Sequence, residues 1–169
     1  VTGTAHSEVT NVQLRHAVAQ DEDFLLQLYL ATQPVETTNW NMSATAREQL
    51  LQMQFRGRKQ IYTAQYPDAE DLILCLNEEG EVERRVGRHL VIRQKDAILG
   101  IDLAVLPAYQ NQGLGRLVLL GVQHQCAQEG LKFRLQVLHT NPARRLYDRL
   151  GFKMVSQDLL YAQMEWSAL

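Results

Sequence analysis

Between Ala97 and Leu138 the chain reads as strand, helix and strand in succession, and no other feature limits its fold as strongly. "AILGIDLAVLP" (97–107) is an apolar run of strand character. Residues 114–128 then carry Leu114, Leu117, Val118, Val122 and Cys126 on one helical stripe, with Gly130 as the stop, and "KFRLQVL" (132–138) alternates as a strand. Two strands joined through a helix lie parallel, because the crossover returns the chain to the end from which it started. Upstream, residues 71–107 read as three strands separated by a turn at Gly80 and a polar break from Gln94 to Asp96, which predicts an antiparallel meander. The sheet is therefore mixed, antiparallel first, with one parallel pair at its centre.

The flanking segments fit the same plan. "VQLRHAVA" (12–19) alternates as a strand, and "QDEDFLLQLYLATQ" (20–33) follows as a helix with acidic residues at its start and Pro34 as its stop. From Thr45 to Tyr66, Leu51, Phe55, Tyr62 and Tyr66 recur at helical spacing. Thr45 and Glu48 predict a capping box there, and Pro67 ends the run. "NPARRLYDRLG" (141–151) reads as a last helix, with Asn141 at its N-cap and Pro142 at its first position, and "FKMVSQ" and "LLYAQMEW" as a closing pair of strands.

Charge and cysteine usage exclude several functions. Seventeen Lys and Arg against 19 Asp and Glu leave a net charge of −2, so no overall field draws the chain to nucleic acid or an anionic membrane. Cys75 and Cys126 lack metal-ligand spacing and sit among apolar residues, which predicts buried free thiols, no metal site and a reducing compartment. No apolar run approaches the roughly 18 residues of a membrane helix, and the first ten residues lack the regions of a signal peptide. A cytoplasmic protein is expected, with residues 1–10 as a flexible extension and residues 11–169 as one domain.

The turn in "LAVLPAYQNQGLGRL" (103–117) carries the first functional signal. It is not a Walker loop, since no Gly-Lys pair occurs, and it is not a dinucleotide fingerprint, since position 118 is Val118 rather than glycine. What remains is Gln110-x-x-Gly113-x-Gly115 between a strand and a helix. Glycines there allow positive φ and close approach, so that successive N–H groups converge on an anion at the positive end of the helix dipole. The alternative is a tight connection whose glycines serve packing alone.

Taken together, this turn and "NPARRLYDRLGF" (141–152) closely resemble the GCN5-related N-acetyltransferases, the GNAT family. That family's pattern is strand, Pro, Q/R-x-x-G-x-G/A, helix, strand and then N-x-x-A-x-x-x-Y-x-x-x-G-F. Asn141, Ala143, Tyr147, Gly151 and Phe152 fall on it, and the order of elements along the chain follows suit. The resemblance implies a single-domain α/β acyl-CoA N-acyltransferase fold, with a splayed central parallel pair flanked by helices.

It also implies acetyl-CoA as co-substrate, with no metal, and direct transfer to a primary amine. Leu103, Ala104 and Val105 would hydrogen-bond the pantetheine arm as an added strand. The amides of Gln110, Asn111, Gln112, Gly113, Leu114, Gly115 and Arg116 would hold the pyrophosphate, and Asn141 would complete the cofactor side. Gln110 and Gln112 stand where many members carry arginine, a loss for which Arg116 is the available compensation. A backbone N–H near Ala104 would face the thioester oxygen, and Tyr147 would donate to the departing sulfur, a phenol being protonated at neutral pH.

Asp102 is the candidate base or amine-binding carboxylate. Alternation puts it on the face of Ala104, and burial would raise its pKa. The structural alternative is an ion pair with Arg93 or Arg134, or an open surface position. His139 is a second candidate, set against a solvated loop residue. The acceptor, a small-molecule or peptide amine, is expected between the first two helices and the loop carrying Trp40. "RGRK" (56–59) reads as a solvated basic face. No nucleic acid or membrane partner is expected, and a homodimer is left open. Two rival readings stand beside the enzyme: a non-catalytic acyl-CoA binding or sensing module on the same fold, and a protein-interaction domain without a ligand.

Overall fold

The computed structural model describes residues 12–33, 43–77 and 83–168. The expected N-terminal extension, the stop at Pro34, Trp40 and the turn at Gly80 lie outside the described residues. Within them, a seven-stranded sheet has the order β1-β2-β3-β4-β5-β7-β6. Its strands are β1 (Val12–His16), β2 (Glu70–Leu76), β3 (Arg84–Arg93), β4 (Ala97–Val105), β5 (Lys132–Leu138), β6 (Lys153–Gln157) and β7 (Tyr161–Trp166). Every neighbouring pair is antiparallel except β4 and β5, as the strand, helix and strand succession requires.

The helices are α1 (Glu22–Ala31), α2 (Ala44–Gln65), α3 (Leu114–Glu129) and α4 (Arg144–Arg149). Adjacent residues of β2 show how they divide between the faces of the sheet. Ile73 and Cys75 pack with Leu25 of α1 and Phe55 of α2. Leu74 packs with Val86, Leu114 and Val118 on the α3 side. A period of two on the strand thus supplies two cores. A third and larger cluster lies under α3 and joins Ile98, Leu119, Cys126, Phe133, Phe152 and Met164. Both cysteines are free and buried.

Several local expectations shift. The first strand stops at His16, and a 3₁₀ turn from Ala19 to Asp21 precedes α1. Buried Asp21 is fixed there by Arg15 at 2.7 and 2.9 Å, Arg85 at 3.0 Å and the Val18 N–H at 2.9 Å. These guanidinium groups, Arg15 foremost, hold its carboxyl well below the usual carboxylate range. The cap of α2 is Ser43, whose hydroxyl accepts from the Ala46 N–H at 3.2 Å, so the expected Thr45 and Glu48 box lies inside the helix. α3 ends as expected, with Gly130 left-handed at φ 67° and its N–H on the Cys126 carbonyl. Leu117, however, stands exposed although it belongs to the expected apolar stripe.

Candidate active site

β4 loses its parallel partner halfway along its length. Pairing with β5 runs from Ala97 opposite Lys132 to Gly100 opposite Leu135 and stops, while β5 continues against β7 to Leu138 opposite Tyr161. The cause is local. Leu90 and Val91 of β3 face Asp102 and Gly100, which leaves Ile101 as an extra residue on β4. Such a bulge bends the strand and increases its twist. The stretch from Ile101 to Val105 therefore keeps β3 on one side and parts from β5 on the other. On the β3 side the approach is tight: a Cβ on Gly87 would lie 2.5 Å from the Ala104 carbonyl oxygen.

Past β4 the chain makes a 3₁₀ turn, Pro107–Tyr109, which the sequence reading did not separate from the loop. The Gln110 N–H donates to the Pro107 carbonyl at 3.2 Å, so this amide is already engaged. Asn111 and Gly113 are both left-handed, at φ 61° and 85°. Alternation of left-handed residues in a turn curls its amides into a concave anion site. The first bond of the α3 ladder runs from the Leu117 N–H to the Gly113 carbonyl at 2.9 Å, so the N–H groups of Leu114, Gly115 and Arg116 precede the ladder at the positive end of the helix.

The two glutamines that replace arginines face the backbone of the turn. Gln110 Nε2 donates to the Val105 carbonyl at 2.8 Å and Gln112 Nε2 to the Ala108 carbonyl at 2.9 Å. They brace the turn, and Arg116 is the nearest arginine in sequence. Space at Gly113 is open, while a Cβ on Gly115 would touch Leu146 at 3.7 Å and Leu103 at 3.9 Å. The turn, β4 and the segment carrying Tyr147 thus meet at Gly115.

Asn141 lies one turn ahead of α4, its Oδ1 accepting from the Ala143 N–H at 2.9 Å. The regular helix begins at Arg144, because the residues after Pro142 first form a tighter turn, with Leu146 and Tyr147 both donating to the Ala143 carbonyl. The Tyr147 ring meets Phe152 edge-on at 5.7 Å. Burial, together with the Asp102 charge, pushes its phenol up to about 12. The group is a proton donor at neutral pH.

Asp102 does not pair with Arg93 or Arg134. Arg93 meets Glu129, and Arg134 is held by Asp96 and Glu165, each at 2.9 Å. The partners of Asp102 are Arg58 at 3.2 Å and Arg88 at 3.6 Å. Arg88 is itself fixed by Asp71 through two bonds of 2.6 and 2.8 Å. Arg58 donates to the Tyr62 hydroxyl at 3.0 Å and lies over the rings of Tyr62 and Tyr29, 5.2 and 5.9 Å from their centres. These side chains, with Ala104, line a narrow cleft of about 50 Å³ between α1, α2 and the strands.

The reading of "RGRK" as a solvated face thus fails at Arg58, whose helical position turns it onto the sheet, while Lys59 meets Glu22. Asp71 and Arg88 are likewise cleft residues that the sequence did not single out, and Tyr62, read there as an apolar position of the second helix, also lines the cleft. Charge alone does not mark them, since Asp71 follows Glu70 in β2 and Arg88 shares β3 with Arg84, Arg85 and Arg93. His139 is tied into its loop, with Nε2 2.9 Å from the Asp158 carbonyl and Nδ1 3.4 Å from Arg144.

An open mixed sheet whose central parallel pair parts beside a glycine-bearing helix mouth defines the acyl-CoA N-acyltransferase class. The model of the acetyltransferase (GNAT) domain matches residues 69–154, just over half of the chain, and the chain belongs to this family. A [ribosomal protein bS18]-alanine N-acetyltransferase of Haemophilus influenzae is 38% identical over 55 residues, a match covering 32% of this chain and only 38% of that protein.

Among solved structures, the PaiA N-acetyltransferase of Thermoplasma acidophilum in complex with coenzyme A aligns with a TM-score of 0.68 at 17% identity, over 94% of this chain and all of that one. The ribosomal-protein-S18-alanine N-acetyltransferase of Escherichia coli aligns with a TM-score of 0.62 at 18% identity, over 92% and 93%. At these identities the likeness is one of fold.

Proposed function

We propose that the protein transfers the acetyl group of acetyl-CoA to a primary amine, directly, within a ternary complex. The observation that carries this reading is the coincidence of three features. They are the edge of β4 that parts from β5 after Gly100, the amides of Leu114 to Arg116 ahead of the α3 ladder at the helix mouth, and a phenol at Tyr147 kept protonated by burial.

In this reading acetyl-CoA supplies an activated acetyl thioester. Leu103, Ala104 and Val105 offer backbone groups to its pantetheine arm, and an N–H near Ala104 faces the thioester oxygen. The turn from Asn111 to Arg116 holds the diphosphate through N–H groups rather than through arginine side chains. The Gln110 side chain shapes the turn from behind, and Asn141 fixes the entry to α4. Tyr147 keeps its proton until the sulfur needs it.

On the other side of β4, Asp102 serves as the anchor for the amine. Arg58 and Arg88 fix the orientation of its carboxylate, and the cleft of Tyr29, Tyr62 and Asp71 receives the acceptor. An ammonium group has no lone pair, so its proton leaves before attack. In this reading Asp102 accepts it, and solvent at the cleft mouth is the exit. The description of the Haemophilus relative supports including a peptide N-terminal amine among the acceptors.

The test is release of free thiol from acetyl-CoA across a panel of peptide N-termini, lysine, polyamines and amino acids, with and without the protein. Amine-dependent release supports the reading. Tight acetyl-CoA binding with no release for any amine would favour a binding module instead.

A further inference from the structure

On the face of the sheet away from Asp102, a cavity of about 380 Å³ lies between α3 and the first four strands. This is within the range of small-molecule sites. Its apolar walls come from Leu72, Val91 and Ile98 on the strands and Val118 and Val122 on α3, while Glu70, Arg93 and Gln125 also line it. Leu14 and Leu117, two more lining residues, remain 38% and 47% exposed. Of the polar residues in this lining, one is fully buried. His89 is 1% exposed, lines the cavity, and its Nδ1 has no hydrogen-bond partner among the described residues.

A buried nitrogen without a partner is a standing cost that a bound group can relieve. Burial lowers the pKa of His89 to about 4, so the ring is neutral near pH 7 and gains no ion pair from a charged ligand. The cationic neighbour Arg93 is engaged with Glu129. A neutral imidazole carries one donor and one acceptor nitrogen, and a hydroxyl, which both donates and accepts, satisfies Nδ1 in either tautomer.

We propose that this cavity is a second binding site, for a small apolar molecule bearing one hydroxyl group, such as an alkylphenol or a medium-chain alcohol. Its hydroxyl pairs with His89 Nδ1, and its body lies between α3 and the strands. Gly121 makes the idea testable without touching the acetyl-transfer residues. It lines the cavity from α3, and a Cβ added there meets nothing within 4 Å.

The experiment follows the His89 ring nitrogens and the Leu14 and Leu117 methyls by NMR on the full chain, titrated with 4-propylphenol and, in parallel, with propylbenzene. The expected result is a saturable shift of His89 Nδ1 and both methyls with the phenol, and at least tenfold weaker binding of propylbenzene, which leaves the nitrogen unpaired. His89→Leu should bind the two probes alike. Gly121→Phe should bind neither while its affinity for acetyl-CoA is unchanged, and this decides the matter even if the His89 variant fails to fold.

No saturable shift at His89, equal binding of the two probes by the unaltered protein, or undiminished binding by Gly121→Phe would overturn the proposal. So would methyl shifts at Leu14 and Leu117 that depend on protein concentration alone, which would put a second copy of the chain on this face.

Discussion

The side chain of Gln110 donates to the carbonyl of Val105 at 2.8 Å, so the first residue of the glycine-bearing turn secures the last residue of β4. The two halves of the proposed cofactor site are thereby linked through one side-chain amide. Gln110→Ala removes the link and leaves the Val105 carbonyl to water, at a stability cost of about 0.5–1.5 kcal/mol. Steady-state kinetics should show the KM for acetyl-CoA raised three- to tenfold with kcat retained. Gln110→Glu, which cannot donate when ionised, should behave like the alanine variant.

Gly87 sets the spacing of β3 and β4 at the reacting end. Its missing side chain admits the Ala104 carbonyl to a point 2.5 Å from where a Cβ would sit, and the atom in the way is backbone. Gly87→Ala must push the strands apart, at a cost of about 1–3 kcal/mol for overpacking. Denaturant unfolding should register that loss, and kcat/KM for acetyl-CoA should fall with it. A variant as stable and active as the parent would show that β4 moves freely there.

Stability should depend on pH through His89. The unfolded chain protonates this residue near the ordinary histidine value of 6.5, the folded chain only at about 4. Between those values the unfolded state binds more protons. The contribution of neutral His89 is therefore whole above pH 6.5 and is lost as pH falls towards 4, by about 3 kcal/mol across the window. Urea unfolding at pH 7, 5.5 and 4.5 measures the slope, and His89→Leu should flatten it. Asp21, whose pKa is depressed, contributes its own loss at lower pH, below the ordinary carboxylate value of 3.8.

Arg58 should control the acceptor and leave the cofactor alone. Arg58→Lys keeps the charge but loses the planar group that lies over Tyr29 and Tyr62. The expected outcome is at least a tenfold rise in the KM for the amine with the KM for acetyl-CoA within twofold. An equal rise in both would place Arg58 outside the acceptor cleft.

The turn was readable from sequence because its geometry is encoded locally. Gly113 takes positive φ as glycines do, Asn111 takes it as asparagine tolerates, and a strand and a helix flank them. The parallel crossover was readable for a similar reason, since hydrophobic periodicity changes from two to 3.6 and back within one segment.

What stayed hidden depends on distant residues or on register. Nothing in "AILGIDLAV" marks Ile101 as the bulged residue, because a bulge is a property of two strands. The true partners of Asp102 come from α2 and β3, and alternation within β4 names only the face, not what arrives there. Leu117 reads as core because a helical stripe takes no account of where the sheet beneath it leaves a cavity.

Tyr147→Phe tests the central claim most directly. Thiol release from saturating acetyl-CoA with the best amine should fall at least about a hundredfold, the scale of a lost general acid, while the dissociation constant for acetyl-CoA stays within twofold. Undiminished release by the variant would contradict the assignment of the proton donor, and a lost affinity for acetyl-CoA would make Tyr147 a binding residue instead.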